Sequence, residues 1–347
     1  MRRQLLAWYD RVARPLPWRG TRDPFAIWVS EIMLQQTRVE TVIPYWERFM
    51  ARFPNASALA VAHEDEVLAL WSGLGYYRRA RWLHAGAREV VERYGGEVPK
   101  DADARLALPG VGRYTAGAIG SIAFNLEEPI VDGNVARVLS RVHGISTPLG
   151  QADTERALWA AAEEIVVGAR PGDLNQALME LGATVCMPRR PRCAECPVSS
   201  VCRAFGDGAP ERLPVPRKRR APRTVRLVAV VVTRRGHVAV RRGEEALFGG
   251  LWGVPMLQES HGRDAARAAM RAVGLGGRLR RAPEGSLHHV LTHRRLAVEV
   301  WRATAGRATG EQVRWVSPAE LEMKGISALT RKVLAMGGYP LASSFAR

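Results

Sequence analysis

Four cysteines constrain this chain more than any other feature. Cys186, Cys193, Cys196 and Cys202 are its only cysteines, and they crowd into 17 of its 347 residues with the spacing C-x6-C-x2-C-x5-C. A secreted disulfide framework spreads its cysteines through a small domain. A long chain with every thiol in one loop points instead to a reducing compartment and a soft metal centre. Zinc and an iron-sulfur cluster compete for such a loop. Structural zinc sites with four thiolates usually present two short Cys-x2-Cys knuckles, whereas this loop has one such pair flanked by longer, unequal gaps. Arg189, Arg190 and Arg192 lie between the first two cysteines and suit either phosphate contact or simple solvation.

The pattern before that loop is helical. From about residue 25 to 180, runs such as VETVIPYWERFM, DEVLALWSGLG, RRARWLHAGAREVVERYGG and TERALWAAAEEIVV repeat apolar residues at helical period, with Gly and Pro between them and no strand signal. An all-α domain over residues 1–207 is expected, closing on the cysteine loop. Residues 208–222 combine prolines with a basic run and read as an extended linker. Beyond it the period changes. TVRLVAVVV and HVAVRR, separated by a turn at Thr233–Gly236, read as strands, as do LTHRRLAVEVWRA and VRWVS. DAARAAMRAV and SALTRKVLAM read as helices, giving an α+β domain over residues 223–340.

Charge divides the same way. Residues 1–210 carry 25 basic and 24 acidic groups; residues 211–347 carry 26 and 10. Nearly all of the net +17 therefore lies in the second part. Such an asymmetry predicts a salt-sensitive, sequence-independent contribution of that part to nucleic-acid binding. No run reaches the ~18 apolar residues of a membrane span, and the N-terminus has no apolar signal core. A soluble cytoplasmic protein is expected, nucleoid-associated if bacterial.

Leu108-Pro109-Gly110-Val111-Gly112-Arg113 separates two helical segments. Gly110 and Gly112 would let backbone N–H groups approach a phosphate, with a helix N-terminus behind them. An ordinary helix-helix turn has the same composition. Glu31 falls in AIWVSEIMLQQT, where Ile27, Glu31 and Leu34 share a helix face. On an apolar stripe its carboxyl is costly to ionise and would serve as a general acid near neutral pH. At the edge of that stripe it would point to water. Asp132 precedes GNVARVLSRV and reads as a helix N-cap, a carboxylate kept ionised by backbone N–H groups.

The cysteine spacing and the LPGVG hairpin together resemble the endonuclease III superfamily, whose C-terminal loop carries one 4Fe-4S cluster. Bifunctional lyases of that superfamily place a nucleophilic lysine directly after LPGVGR. Here the position is Tyr114, and Lys100 is the only lysine before residue 218. WVSEIMLQQT, GLGYYRRARWLH, LPGVGRYTAGAI and VDGNVARVLSR, with a β-containing extension, narrow the resemblance to MutY-type adenine DNA glycosylases. The resemblance implies a helix-hairpin-helix domain joined to a Nudix-like (MutT-like) domain. It also implies a monomer acting on double-stranded DNA that contains adenine mispaired with 8-oxoguanine or guanine. Family roles then fall on Glu31 as the acid that protonates adenine and on Asp132 as stabiliser of an oxocarbenium-like sugar. Tyr114 and Asn134 support them, Gln36 and Tyr76 wedge into the base stack, and Trp18 and Arg19 stand at the pocket rim.

In the extension the family brings a Phe-Ser-His segment to 8-oxoguanine; this chain has Leu291-Thr292-His293, keeping the hydroxyl and imidazole of Thr292 and His293 without the aromatic ring. The helix that carries magnesium-binding glutamates in Nudix hydrolases reads RDAARAAMRAVGL, with Asp264 its only acid. Pyrophosphohydrolase activity is not expected. A bifunctional lyase is disfavoured by Tyr114, and a non-catalytic iron-sulfur protein has no need of both Glu31 and Asp132.

Overall fold

The computed structural model describes residues 1–217, 222–243, 248–291, 294–308, 313–339 and 341. Its contacts group the chain into two compact units, Met1–Val61 with Trp82–Arg219, and Ala62–Arg81 with Arg220–Arg347.

The first unit is helical. Its Pro24–Leu34 helix starts where Asp23 accepts a hydrogen bond from the Phe25 N–H at 3.0 Å, with Pro24 in the first turn. Every residue from Phe25 to Met33 is buried. A helix that is apolar all round lies inside the protein, so Glu31 is buried whichever way it faces. The Ala102–Ala107 helix, the 108–112 hairpin and the Arg113–Phe124 helix form a helix-hairpin-helix. The Gly133–His143 helix packs on Pro171–Thr184 through Leu139, Val135, Leu178 and Leu181. A Cβ at Gly182 would lie 2.6 Å from that of Asn134, so glycine permits this approach.

The second unit contains one mixed sheet, with eight strands among the described residues. They are β1 (Arg223–Arg234), β2 (His237–Arg242), β3 (Trp252–Gly253), β4 (Met256–Gln258), β5 (Leu275–Leu279), β6 (Gly285–Val290), β7 (Arg294–Ala308) and β8 (Arg314–Val316). At its centre β1 runs parallel to β7 and forms an antiparallel hairpin with β2. The turn is Arg235-Gly236, both at positive φ, the backbone that matches strand twist in a two-residue loop. Alternate residues of β1 enter two cores. Leu227, Ala229 and Val231 meet Leu329 and Val333 of the Ala328–Met336 helix, while Val228, Val230 and Val232 meet Ala266, Ala269 and Met270 of Gly262–Arg271. Burial on both faces explains why β1 reads as an unbroken apolar run.

Two features depart from the sequence boundaries. Residues 62–81, placed by the sequence in the helical domain, belong to the second unit. The hydroxyls of Ser72 and Tyr77 both donate to the Ile326 carbonyl, at 3.0 and 2.7 Å, and the Trp252 indole donates to Asp65 at 3.2 Å. These partners lie far apart in the chain, beyond the reach of periodicity. The expected linker also begins docked: Arg141 donates to the Leu213 carbonyl and the Leu149 N–H to Val215, both at 2.9 Å.

Candidate active site and cysteine loop

A cavity of about 580 Å³ opens in the helical unit, lined by Trp18, Arg19, Glu31, Gln36, Tyr114, Asp132 and Asn134, with Ile27 and Leu34 beside Glu31 as the shared face requires. That volume lies in the range of small-molecule pockets. Glu31 is only 4% exposed. The Tyr114 hydroxyl donates to its Oε2 at 2.6 Å and also contacts Met179 Sδ at 3.3 Å. Burial is the main force on the Glu31 carboxyl; Tyr114 opposes it and the charge of Asp132 reinforces it, and the pKa is pushed up to about 7. A carboxylic acid near neutrality, with Oε1 left by Tyr114, is equipped to give a proton to a bound group. Burial and the nearby Glu31 charge push the Tyr114 phenol well above its ordinary range, which keeps it a donor.

Asp132 is the expected N-cap. Its Oδ1 accepts from the backbone N–H groups of Asn134 and Val135 at 3.0 and 2.7 Å, and its Oδ2 from the Asn134 amide at 3.1 Å. Burial outweighs those donors and raises its pKa above the ordinary aspartate value. Solvent exclusion is stronger than three hydrogen bonds here.

Sequence reasoning missed Glu180 and Arg14. Glu180 is buried in the Pro171–Thr184 helix and accepts a fork from Arg14 at 2.7 and 2.9 Å and a third bond from Arg19 at 2.8 Å. Burial pushes its carboxyl up, but Arg14 and then Arg19 more than offset this, leaving it below its usual range. The available signal was the one that marked Glu31, an acid within an apolar helical run, NQALMELGA. Trp18 is buried edge-on against Trp46 while lining the cavity, so packing and pocket roles coincide.

Of the other predicted residues, Gly112 also lines this cavity, whereas Gly110 and Tyr76 are not among its lining residues. Tyr76 is 45% exposed, in the 62–81 segment of the second unit. Gly110, at φ +76°, needs glycine twice over, because a Cβ there would lie 2.7 Å from that of Trp82. Gly112 has extended backbone and open space, so conformation does not demand glycine. It begins a 12-residue helix that no side chain caps. Thr292 and His293 fall outside the described residues, and Leu291 packs at the edge of the β-unit core.

All four cysteines, each partly exposed, line one small pocket with Val138, Val142 and Leu181. Among the described residues no group of three or more His, Cys, Asp or Glu is arranged to hold a single metal ion. The buried Arg141 places Nη1 3.2 Å from Cys186 Sγ and binds the Met187 and Pro188 carbonyls at 2.8 and 3.1 Å. One turn earlier, Arg137 donates to the Cys186 carbonyl at 2.7 Å and to Asn134 Oδ1 at 2.8 Å. One helix thus caps on Asp132 and grips the cysteine loop. Burial pushes the Cys196 thiol up to about 11, so that thiol stays protonated when bare; a bound metal would ionise it.

Residues 29–164 match the HhH-GPD superfamily of base excision DNA repair proteins, and residues 227–336 match the NUDIX domain. Among solved structures, a thermostable thymine-DNA glycosylase is 32% identical, with a TM-score of 0.54 over 59% of this chain and 95% of its own. An endonuclease III–DNA complex, 22% identical with a TM-score of 0.51 over 60% and 94%, shares the fold. Fold and matches together define a helix-hairpin-helix base-excision DNA glycosylase with a Nudix-like domain. The adenine DNA glycosylase of Mus musculus is 38% identical over 96% of this chain and 77% of its own length; that of Homo sapiens is 53% identical over 58% and 39%. The chain belongs to the adenine DNA glycosylases, enzymes that hydrolyse an N-glycosyl bond in DNA repair.

Proposed function

We propose that this enzyme removes adenine mispaired with 8-oxoguanine or guanine, by hydrolysis and without lyase chemistry. The observation that carries the mechanism is Glu31, buried in the cavity, hydrogen-bonded by Tyr114 and raised to about 7 beside Asp132. Duplex DNA hides the adenine, so the base is first flipped out, with Gln36 and Tyr76 holding the gap. Glu31 then protonates the purine. The bond between sugar C1′ and the base breaks with its electron pair leaving on adenine. Asp132 opposes the positive charge left on the sugar, and water adds to C1′ and loses a proton. Asn134 holds Asp132, and Arg19 and Trp18 frame the base. Tyr114 cannot form the Schiff base that a lysine would. Gly110, Gly112 and the uncapped helix behind them meet a DNA phosphate. The enzyme acts as a monomer, and Thr292 and His293 face 8-oxoguanine.

A duplex with adenine opposite 8-oxoguanine tests this directly. Breaks at the adenine are expected only after alkali. Breaks without alkali, or at an oxidised pyrimidine, would overturn the reading.

Cys186, Cys193, Cys196 and Cys202 hold one 4Fe-4S cluster in this reading. Four thiols sharing a pocket, with a buried guanidinium on one sulfur, fit an anionic cluster. The cluster would supply a rigid, redox-capable crosslink for the loop, and Arg137 and Arg141 tie that loop to the helix capped by Asp132. Iron and acid-labile sulfide are expected in equal amounts, about four per chain. Stoichiometric zinc without sulfide would refute the assignment.

Removing residues 211–347 is expected to flatten the salt dependence of duplex binding and weaken the preference for 8-oxoguanine over guanine. The deletion also strips Ser72 and Tyr77 of the Ile326 carbonyl. Gap-stabilising function at Tyr76 should therefore suffer with it. An unchanged salt slope would contradict the role given to the basic second part.

A further inference from the structure

Tyr76 stands on an unusual loop. Gly73, Gly75 and Tyr76 all have positive φ, at 114°, 74° and 50°. Left-handed backbone is rare for a bulky residue and persists only where surroundings over-determine it. Trp71 and Arg79 do so here. The Trp71 indole donates to the Gly75 carbonyl at 3.1 Å, and Arg79 Nη2 donates to the same oxygen at 3.2 Å. The Arg79 backbone N–H donates to the Tyr76 carbonyl at 2.9 Å. Its guanidinium carbon lies 5.6 Å from the Trp71 ring centre and 5.3 Å from that of Tyr76.

We propose that Arg79 is a positioning residue for base flipping: stacked with both Trp71 and Tyr76, it holds the Tyr76 ring ready to enter the base stack. Arg79 is only 6% exposed, which gives it little access to DNA phosphates. It acts through the half-exposed Tyr76 instead. Burial lowers its pKa to about 10, so it remains a cation at neutral pH and its attraction to the aromatic faces persists. A planar guanidinium satisfies both requirements of the site, stacking on rings while donating sideways to the Gly75 carbonyl. An ammonium does not. The inference rests on the reading of Tyr76 as a wedge.

The test uses the full chain and a duplex in which the target adenine is replaced by its fluorescent analogue 2-aminopurine, whose emission rises on unstacking. Arg79→Gln is expected to lower the flipped population ~5- to 30-fold, the worth of a desolvated cation-aromatic contact. Arg79→Lys should fall between Gln and wild type. Tyr76→Ala should lose flipping, and adding Arg79→Gln to it should cost little more, since both remove one device. Melting temperatures are recorded beside each, and if Arg79→Gln does not fold, Arg79→Lys alone carries the comparison. Normal flipping in folded Arg79 variants while Tyr76→Ala is defective overturns the role of Arg79, as do multiplicative losses in the double variant. Normal flipping in Tyr76→Ala overturns the wedge reading itself.

Discussion

Glu31→Gln is expected to lower the single-turnover rate of adenine release ~10²- to 10⁴-fold, the usual contribution of a positioned general acid. Duplex affinity should hold, because glutamine keeps the shape of the side chain and an oxygen for the Tyr114 hydroxyl. The wild-type rate should fall as pH rises through about 7, where Glu31 ionises, while the residual rate of the variant shows no fall there. Stability should move the opposite way. The folded-state pKa lies above the ordinary value of 4.5, so the folded protein binds more protons than the unfolded chain between those limits. Stability is then unaffected by this group below about 4.5, falls as pH rises toward 7, and carries the full penalty above it, roughly 3 kcal/mol. Glutamine has no such penalty. Thermal melts at pH 4 and pH 8 should show the variant gaining on wild type only at the higher pH. A gap independent of pH would show that Glu31 is not a buried acid.

Local signals proved readable where chemistry depends on neighbours in the chain. The Asp132 cap and the Arg235-Gly236 turn each involve residues within a few positions of one another, the C-x6-C-x2-C-x5-C loop confines its thiols to 17 residues, and the helical and strand segments follow apolar periods. Glu31 was readable for a partly different reason. The sequence suggested an apolar stripe, whereas the whole Pro24–Leu34 helix is enclosed. The residues that went unread depend on partners far away. Glu180 stands 166 positions from Arg14, and Tyr77 249 from Ile326. Nothing in the period of residues 62–81 says that they join the second unit, because their anchors are carbonyl and carboxylate groups chosen by tertiary structure. Arg137 and Arg141 are intermediate cases. Their four-residue spacing on a helix was visible, but its use to hold the cysteine loop was not.

Asp132 caps a helix, and the proposed reaction gives it a second role that substitution would separate from the first. Asparagine is as good a helix cap as aspartate, so Asp132→Asn should leave the melting temperature nearly unchanged while removing the charge proposed to oppose that of the sugar. Its rate of adenine release should fall ~10²- to 10³-fold, the scale of losing one preorganised electrostatic group. Asp132→Ala loses the cap as well. It should cost a further ~1 kcal/mol of stability yet slow the reaction little more than asparagine does. Equal destabilisation by Asn and Ala, or a rate preserved in Asn, would confine Asp132 to structure. The pH profile supplies the linked test. Burial raises the Asp132 pKa, so wild-type activity should also fall on the acid side as this group protonates, giving a bell with Glu31 as its alkaline limb. The Asp132 charge is one of the forces that raises Glu31. Removing it should therefore shift the alkaline limb of the residual activity to lower pH and abolish the acid limb; the loss of the acid limb is the change that a purely structural cap would not produce.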